Sequence, residues 1–275
     1  MPETSTARAG TLVLVGCGQM GSAMLRGWIA SGAASQFIAV EPAGAPPSLS
    51  PAPEVAFHRD AGDLSADLVP DAVVLAVKPQ IIDDVVPAYR RWARPQTVFL
   101  SIAAGTTIAK LSRHLGEAAI VRAMPNTPAA IGRAISVACP NPRVTAAQRV
   151  LCEGLLAAIG ESTWVEDEAL MDAVTAVSGS GPAYVFLLIE ALAAAGIKSG
   201  LPEDLAMRLA KATVSGSGEL ARLASEVPSR LRENVTSPGG TTRAALDVLM
   251  AADGMQQLFD RAVAAATRRS RELAG

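Results

Sequence analysis

An apolar run that ends in a glycine-rich turn is the feature that most restricts the fold of this chain. The run T-L-V-L-V at 11–15 is continuously apolar, as in a strand buried on both faces of a parallel sheet. It leads directly into G-C-G-Q-M-G at 16–21, after which apolar residues recur at helical spacing. A second apolar strand at 37–40 ends at Glu41, 20 positions beyond the last glycine. Strand, glycines, helix, strand and carboxylate together predict a dinucleotide-binding βαβ unit.

Each glycine of this motif has a separate task in such a unit. Gly16 permits the tight turn, Gly18 lets a pyrophosphate approach the backbone, and Gly21 lets helix and strand pack closely. The intervening residues belong to the same predicted cofactor site: Cys17, Gln19 and Met20. A tight turn without a ligand would carry the same glycines, but it would not require the second strand and the carboxylate.

Glu41 bears on which nicotinamide cofactor is bound. A carboxylate at this position accepts hydrogen bonds from the ribose 2′-OH of NADH and repels the 2′-phosphate of NADPH. The next residues, P-A-G-A-P-P at 42–47, carry no basic side chain, and only Arg59 could supply one from another strand. The alternative is that Glu41 turns into solvent. The predicted cofactor is therefore NADPH or NADH.

Further apolar runs continue the alternation of strands and helices through the first half of the chain. We predict strands at 55–58, 72–77, 97–102, 118–124, 135–138 and 162–165, and a helix from Thr145 to about Ile159. This pattern predicts an α/β fold, a Rossmann-type doubly wound sheet over residues 1–163.

Two strand ends in this half are candidate cofactor contacts. Ligands bind at the carboxyl ends of strands in open parallel sheets. Lys78 and Pro79 follow the strand at 72–77, although a solvated lysine beside a turn explains the same residues. Small residues after the strand at 97–102, A-A-G at 103–105, would let a nicotinamide approach.

Residues 164–275 carry helical patterns alone and are predicted to form an all-α domain for dimerisation and substrate binding. S-G-S-G-P at 178–182 is predicted to break the helices, and 182–198 is apolar nearly all round. Apolar faces this wide predict a homodimer interface. Glu190 on this helix either contacts substrate or, as we expect, pairs with an arginine such as Arg208.

Composition excludes several classes of function. The formal net charge of −2, without basic runs, argues against a nucleic-acid surface. Cys17, Cys139 and Cys152 are widely spaced and predict reduced thiols, with neither a disulfide frame nor a metal site. The first ten residues lack the apolar core of a signal peptide, and the run at 183–197 is too short to span a bilayer. We therefore expect a cytoplasmic protein that binds no membrane.

A second glycine-rich stretch, N-V-T-S-P-G-G-T-T at 234–242, lies deep in the helical half. Pro238 ends the preceding helix, Gly239 and Gly240 permit a tight turn, and Thr241 or Thr242 is predicted to cap the next helix. The inward face of that helix is predicted at Ala245, Leu246, Leu249 and Met250. Free N–H groups at a helix start attract an anion. An ordinary helix–helix turn has the same composition.

The helical half lacks the usual acid–base residues of alcohol and 2-hydroxy-acid dehydrogenases. It contains no histidine, and Lys198 and Lys211 lie away from both glycine-rich stretches. It offers hydroxyls, glycines and an amide instead, which suit a substrate that needs little acid–base help. An imine can bind already protonated and take a hydride directly at carbon.

At this point the sequence resembles Δ1-pyrroline-5-carboxylate reductases. The resemblance is carried by G-C-G-Q-M-G at 16–21, A-V-K-P-Q at 76–80, S-I-A-A-G at 101–105, N-T-P at 126–128, S-G-S-G-P-A-Y at 178–184 and N-V-T-S-P-G-G-T-T at 234–242. They occur in the family's order and cover nearly the whole chain. The resemblance implies hydride transfer from NAD(P)H to the C=N bond of a cyclic imine, which gives L-proline, the last step of proline biosynthesis.

The resemblance also implies roles for individual residues. The cofactor would be held by the loop at 16–21, Ala76, Val77, Lys78, Ile102, Ala103, Ala104 and Asn234. The substrate carboxylate would be bound by backbone N–H groups of Gly239, Gly240 and Thr241, with Ser178 and Ser237 nearby. Thr242 would hydrogen-bond the ring nitrogen, although a threonine that only caps the helix is the alternative. Members of the family form homodimers, often assembled into decamers, and usually prefer NADPH.

Two other functions remain open from the sequence. One is a related imine or 2-oxo-acid reductase of the same architecture, which a substrate comparison would separate. The other is a catalytically silent NAD(P)-binding protein, which loss of either glycine-rich stretch would have favoured.

Overall fold

A computed structural model of the chain describes residues 8–49 and 53–274. Residues 1–7, which bear on the expected absence of a signal peptide, and 50–52 of the proline-rich loop lie outside this part. The chain divides into two compact units, of which the first runs to Gly179 and includes the residues from Thr267 onward. The second unit is Ser180–Ala266.

The first unit is built on one eight-stranded sheet with the order β3-β2-β1-β4-β5-β6-β7-β8. All neighbouring strands are parallel except β6 and β7, which are antiparallel. The strands are β1 (Ala9–Val15), β2 (Ala34–Val40), β3 (Val55–His58), β4 (Ala72–Leu75), β5 (Val98–Ser101), β6 (Ala119–Met124), β7 (Ala134–Pro140) and β8 (Gly160–Trp164).

Both faces of this sheet are buried, which explains why its strands read as continuous apolar runs. On β1, Leu12 and Leu14 point into a cluster that contains Trp28, whereas Val13 and Val15 point into a second cluster that contains Trp92. Helices therefore cover both faces, and the predicted doubly wound Rossmann-type fold is confirmed.

The first unit contains five α-helices in the residues that the structure describes, and some of them begin or end at capping residues. They are α1 (Gln19–Ser31), α2 (Ile82–Val85), α3 (Ile108–Leu115), α4 (Ala146–Ala157) and α5 (Met171–Val174). Gly32 ends α1 in the left-handed conformation, as a glycine after a helix commonly does. Thr145 caps α4 as predicted, in a reciprocal capping box with Gln148.

Helices alone form the second unit, as predicted for this half of the chain. They are α6 (Gly181–Lys198), α7 (Glu203–Leu223), α8 (Pro228–Asn234), α9 (Thr241–Leu249) and α10 (Met255–Ala274), whose last residues belong to the first unit. The rings of Tyr184 on α6 and Phe259 on α10 meet edge to face at 6.3 Å. Among the α6 residues only Ala193 is buried.

The structure differs from the sequence predictions of local structure at three points. The strand at 72–77 ends at Leu75, so Lys78 lies two residues further from the strand end than expected. The strand at 135–138 is longer and runs antiparallel to β6, because the short 3₁₀ turn Thr127–Ile131 cannot make a helical crossover. The break predicted at 178–182 shrinks to a bend at Ser180, because a π-helix, Thr175–Gly179, carries the chain from α5 to α6.

Helix continuity through this point gives the stretch Glu168–Lys198 the length and composition of a membrane-crossing helix. Only 6% of its most apolar window is buried. An interface helix of a soluble protein meets the same criteria of length and apolarity.

Candidate active site

The glycine-rich loop between β1 and α1 has the geometry that a pyrophosphate requires. Gly16 has φ +88°, and a Cβ there would lie 2.9 Å from the carbonyl oxygen of Ala76. A Cβ on Gly21 would overlap the Gly16 carbonyl. At Gly18 a Cβ would meet nothing within 4 Å, so the backbone borders open space at the start of α1. This cradle, with its helix N-terminus, fits a nicotinamide dinucleotide.

A cavity of about 560 Å³ opens beside this loop, at the carboxyl ends of β1, β2 and β4. The strand order reverses between β1 and β4, which is where open sheets bind dinucleotides. Its walls include six predicted cofactor residues: Gly16, Gly18, Glu41, Ala76, Val77 and Lys78. They also include Arg59, Asp60 and Asp84, of which the sequence suggested only Arg59.

Glu41 is fixed in this cavity wall by two backbone donors. Its Oε2 accepts the Cys17 N–H at 2.7 Å, and its Oε1 accepts the Ala43 N–H at 3.2 Å. Glu41 is partly buried rather than turned into solvent. Burial, and then the Glu41 charge, raise the pKa of the Cys17 thiol to about 11, so this thiol stays neutral at physiological pH.

The remaining predicted cofactor residues lie outside the cavity lining but on the same unit, except Asn234. Gln19 and Met20 begin α1, and Pro79 begins a 3₁₀ turn after Lys78. Ile102, Ala103 and Ala104 follow β5, where the Ile102 N–H donates to the Leu75 carbonyl at 3.0 Å. Asn234 is the last residue of α8 in the second unit.

The second glycine-rich stretch folds into a tight turn before α9. The Gly240 N–H donates to the Ser237 carbonyl at 3.1 Å, and Gly239 has φ +69°. Proline at the second position and a left-handed glycine at the third are typical of a type II turn. The N–H of Gly240 is thus used within the turn, and the prediction that it is free is wrong.

Helix α9 begins at Thr241, so Gly240 is its N-cap and the prediction of a threonine cap is wrong. The first N–H groups of a helix have no acceptor within it. Among the described residues, no acceptor lies against the N–H of Thr241 or Thr242, and both residues are exposed. These two amides lie at the positive end of the α9 helix dipole, where negative charge is favoured. The predicted inward face is also wrong, because Leu249 and Met250 are 49% and 60% exposed.

Asn126 is a residue whose role the sequence alone did not indicate. Its Oδ1 accepts the Ile135 N–H at 3.1 Å, and its Nδ2 donates to the Ser178 carbonyl and hydroxyl oxygens at 3.3 and 3.4 Å. Next to Ser178, a Cβ on Gly179 would overlap the Met124 side chain. The N-T-P turn thereby fixes Ser178 at the end of the first unit. The sequence pointed to Asn126 only through the N-T-P motif at 126–128, which does not indicate what its side chain contacts.

Two family models match parts of the chain that contain the two glycine-rich stretches. A family model described as pyrroline-5-carboxylate reductase dimerisation matches residues 168–273. Another, described as NADP oxidoreductase coenzyme F420-dependent, matches residues 11–105. The pyrroline-5-carboxylate reductase of Pseudomonas aeruginosa is 42% identical over 267 residues, which are 96% of this chain and 96% of that protein.

Two solved structures have the same fold over nearly the whole chain. The pyrroline-5-carboxylate reductase of Coxiella burnetii is 32% identical with a TM-score of 0.87, and the match covers 96% of this chain and 98% of that one. The Plasmodium falciparum pyrroline carboxylate reductase, solved with NADP bound, is 30% identical with a TM-score of 0.80 over 96% and 98% of the two chains.

Proposed function

The chain belongs to the pyrroline-5-carboxylate reductase family, and we propose that the exposed amides after the turn at 237–240 are the part that selects its substrate. It is an NAD(P)H-dependent oxidoreductase of proline biosynthesis that reduces the C=N bond of Δ1-pyrroline-5-carboxylate to give L-proline. The observation that carries the substrate assignment is the start of α9, where Thr241 and Thr242 present N–H groups to open space. A carboxylate is one of the anions that such a helix start binds.

Substrate anchoring is the main contribution of the second unit. The N–H groups of Thr241 and Thr242, with Gly239 and Gly240 shaping the turn, hold the carboxylate of the pyrroline ring. Ser237 adds a hydroxyl group on the same turn, and Ser178 is the proposed substrate residue of the first unit. Fixing one end of a small ring restricts how it can turn, and orientation of this kind lowers a barrier by several kcal/mol.

Little proton transfer is needed in this reaction. A nicotinamide held in the first unit would supply a hydride to C5 of the ring. The C=N π electrons would then become a lone pair on nitrogen, which gives a neutral amine directly when the substrate is the iminium. A substrate that binds protonated needs no further proton, and a neutral imine needs one from water. The Thr242 hydroxyl hydrogen-bonds the ring nitrogen and relays that proton.

The cofactor is held by the loop at 16–21 and the strand ends around it. Gly16, Gly18 and the start of α1 bind the pyrophosphate, with Cys17, Gln19, Met20 and Gly21 completing the loop. Further contacts within the first unit come from Glu41, Ala76, Val77, Lys78 and Pro79, and from Ile102, Ala103 and Ala104. Asn234 is the proposed cofactor residue of the second unit. The open space beside Gly18 supports this assignment.

The helical part, 164–275, acts as the dimerisation and substrate domain and the part at 1–163 as the nucleotide domain. Exposed apolar side chains on α6, such as Leu187 at 63%, support a homodimer in which a second copy covers them. The assembly is a homodimer or a pentamer of such dimers, located in the cytoplasm, with no membrane or nucleic-acid partner.

A substrate comparison tests this function. Purified protein with Δ1-pyrroline-5-carboxylate should oxidise NADPH or NADH, as followed by nucleotide absorbance, and should produce proline. Small 2-oxo acids should give no comparable rate. Turnover of a 2-oxo acid without turnover of the cyclic imine would overturn the assignment, and so would nucleotide binding without any reduction.

A further inference from the structure

The carboxylate at the end of β2 is unusually well fixed for a side chain at a cavity edge. Glu41 directly follows Val40, the last residue of β2, and its two oxygens accept N–H groups from two different loops. The bond from the Cys17 N–H is short, at 2.7 Å, as charge-assisted hydrogen bonds are. Each carboxylate oxygen has a second lone pair, so both can still accept a hydroxyl group.

Moving this carboxylate away would leave a buried donor without its acceptor. Cys17 is 3% exposed, and its N–H is directed at Glu41. A buried N–H that loses its acceptor keeps the full penalty of its desolvation. Glu41 therefore stays in the cavity wall when a nucleotide enters, and the nucleotide must suit the carboxylate.

The charges around the same cavity do not favour an added phosphate. Its lining contains the carboxylates of Glu41, Asp60 and Asp84 against the cations of Arg59 and Lys78. The loop after Glu41 adds no donor side chain, since residues 42–47 are prolines, alanines and a glycine. Arg59 is exposed and lies next to Asp60, so its charge is partly offset where a 2′-phosphate would need it.

We propose that Glu41 makes this chain select NADH over NADPH, by accepting the adenosine ribose 2′-hydroxyl and repelling the 2′-phosphate. The proposal rests on the proposed function, in which this cavity takes the adenosine half of the cofactor. The Plasmodium falciparum relative was solved with NADP bound, whereas we expect this chain to bind NADH more tightly. A ribose hydroxyl completes the hydrogen bonding of the carboxylate, whereas a phosphate brings further negative charge to within contact distance.

Direct binding measures this selection without any turnover. The intact purified protein is titrated with NADH and with NADPH by nucleotide fluorescence, and its melting temperature is measured with NAD⁺ and with NADP⁺. Wild-type protein should bind NADH at least about tenfold more tightly than NADPH, and NAD⁺ should raise the melting temperature more. Glu41→Gln keeps an oxygen acceptor for the Cys17 N–H and removes the charge, so it should lower the NADH preference by about tenfold or more.

A matched control variant distinguishes the effect of the charge at Glu41 from the effect of the net charge of the protein. Glu54 is exposed and precedes β3, so it lies at the amino end of a parallel strand, whereas the cavity lies at the carboxyl ends. Glu54→Gln therefore removes the same charge outside the cavity lining. Its ratio of affinities should stay within about twofold of wild type, because exposed charges this far apart are screened by salt.

The variant Arg59→Ala tests the opposite possibility, that Arg59 binds the 2′-phosphate of NADPH. If NADPH binds wild-type protein at least as tightly as NADH, and Arg59→Ala removes that binding while Glu41→Gln changes nothing, the proposal is overturned and Arg59 is the phosphate clamp. The proposed function is judged separately. Turnover of Δ1-pyrroline-5-carboxylate with equal use of both nucleotides would leave the function standing and remove the selection by Glu41.

Discussion

At the start of α9, two neighbouring threonines are predicted to act through different atoms. Thr241 contributes its backbone N–H to the carboxylate, which alanine would keep, whereas Thr242 also contributes its hydroxyl to the ring nitrogen. Thr242→Ala should therefore lower kcat by about 100-fold, in the usual range for a hydrogen-bonding or proton-transferring side chain. Thr241→Ala should lose much less. Steady-state kinetics of the two variants, with circular dichroism to confirm folding, measure the difference.

Two other outcomes for Thr241→Ala and Thr242→Ala would contradict the proposed role of the Thr242 hydroxyl. Equal small losses in both variants would show that the hydroxyl of Thr242 has no part in the reaction and that its side chain only begins a helix. Equal large losses would show that the helix start, rather than one hydroxyl, depends on these side chains. Neither threonine is the N-cap, so loss of a cap cannot explain a large effect.

The positions of the site residues could be predicted from the sequence, whereas most of their individual hydrogen bonds could not. Glu41 was predictable at a cavity edge because a βαβ unit fixes where its second strand ends. Its bond to the Cys17 N–H was not, since that depends on the loop's own fold. Similarly, Gly240 was correctly expected in a turn, but which N–H the turn consumes follows from its dihedral angles. The N-T-P motif marked Asn126, but its contact with Ser178 joins residues 52 positions apart and depends on the tertiary fold.

At the scale of elements, the turn before α9 depends on one left-handed residue. Gly239 has φ +69° and a Cβ there would meet nothing within 4 Å, so Gly239→Ala suffers from backbone strain alone. We expect a loss of about 1–2 kcal/mol in stability. Because the strain falls on the substrate turn, KM for pyrroline-5-carboxylate should rise as well, by about tenfold if the relaxed turn moves the carboxylate-binding amides.

Gly32 offers a matched control for this variant. It has φ +63°, also has nothing within 4 Å of a Cβ, and ends α1 rather than the substrate turn. Gly32→Ala should lose similar stability in thermal unfolding and keep its KM. A raised KM in both variants would mean that general loosening, not the turn, controls substrate binding.

Helices α2 and α3 are joined by a surface cluster that predicts a pH effect. Asp83 on α2 contacts His114 at 2.8 Å and Lys110 at 3.0 Å, both on α3. The hydrogen bonds from His114 and then Lys110 hold the pKa of Asp83 below its ordinary value of 3.8. Because the pKa of Asp83 is lower in the folded protein than in the unfolded chain, the ionised carboxylate stabilises the fold above pH 3.8. This contribution is lost as the pH falls through the folded-state pKa.

Urea unfolding at pH 5 and at about pH 3 tests this linkage. Asp83→Asn should be less stable than wild type at pH 5, and the difference should shrink at the lower pH as Asp83 becomes protonated. Asp84, the next residue, forms no ion pair in the described ranges, so Asp84→Asn should show a smaller and flatter difference. A constant difference for Asp83→Asn across the two pH values would contradict the coupling to α3.

The elements themselves were largely predictable, and the exceptions have local causes. Every strand of the sheet was expected within a few residues, because burial on both faces makes the runs conspicuous. The direction of β7 was not, since it depends on how short the 3₁₀ turn at Thr127–Ile131 is. The glycines at 179 and 181 suggested a wide break, but glycine also tolerates a π-helix, and the chain remains helical there.

At the scale of the whole molecule, the apolar surface of the second unit is the feature that still needs an explanation. On α6, Phe186 and Leu187 are 57% and 63% exposed, and only 6% of the apolar window in Glu168–Lys198 is buried. Exposed patches of this kind mark an interface with protein or membrane. The dimerisation model that matches 168–273 favours a protein partner of the same sequence. Sequence alone predicted this interface from apolarity on all sides of the helix.

A charge placed in this face should therefore disrupt assembly. Leu187→Glu puts a carboxylate where a second copy would bury it, and an unpaired buried charge is strongly unfavourable. Light scattering at micromolar concentration should show wild-type protein as a dimer or larger assembly and the variant as a smaller species. Val150→Glu is the control, because Val150 is 43% exposed on α4, outside the proposed interface, and its assembly should not change. A monodisperse wild-type monomer would overturn the dimer, and wild-type protein that is soluble only in detergent would point to lipid instead.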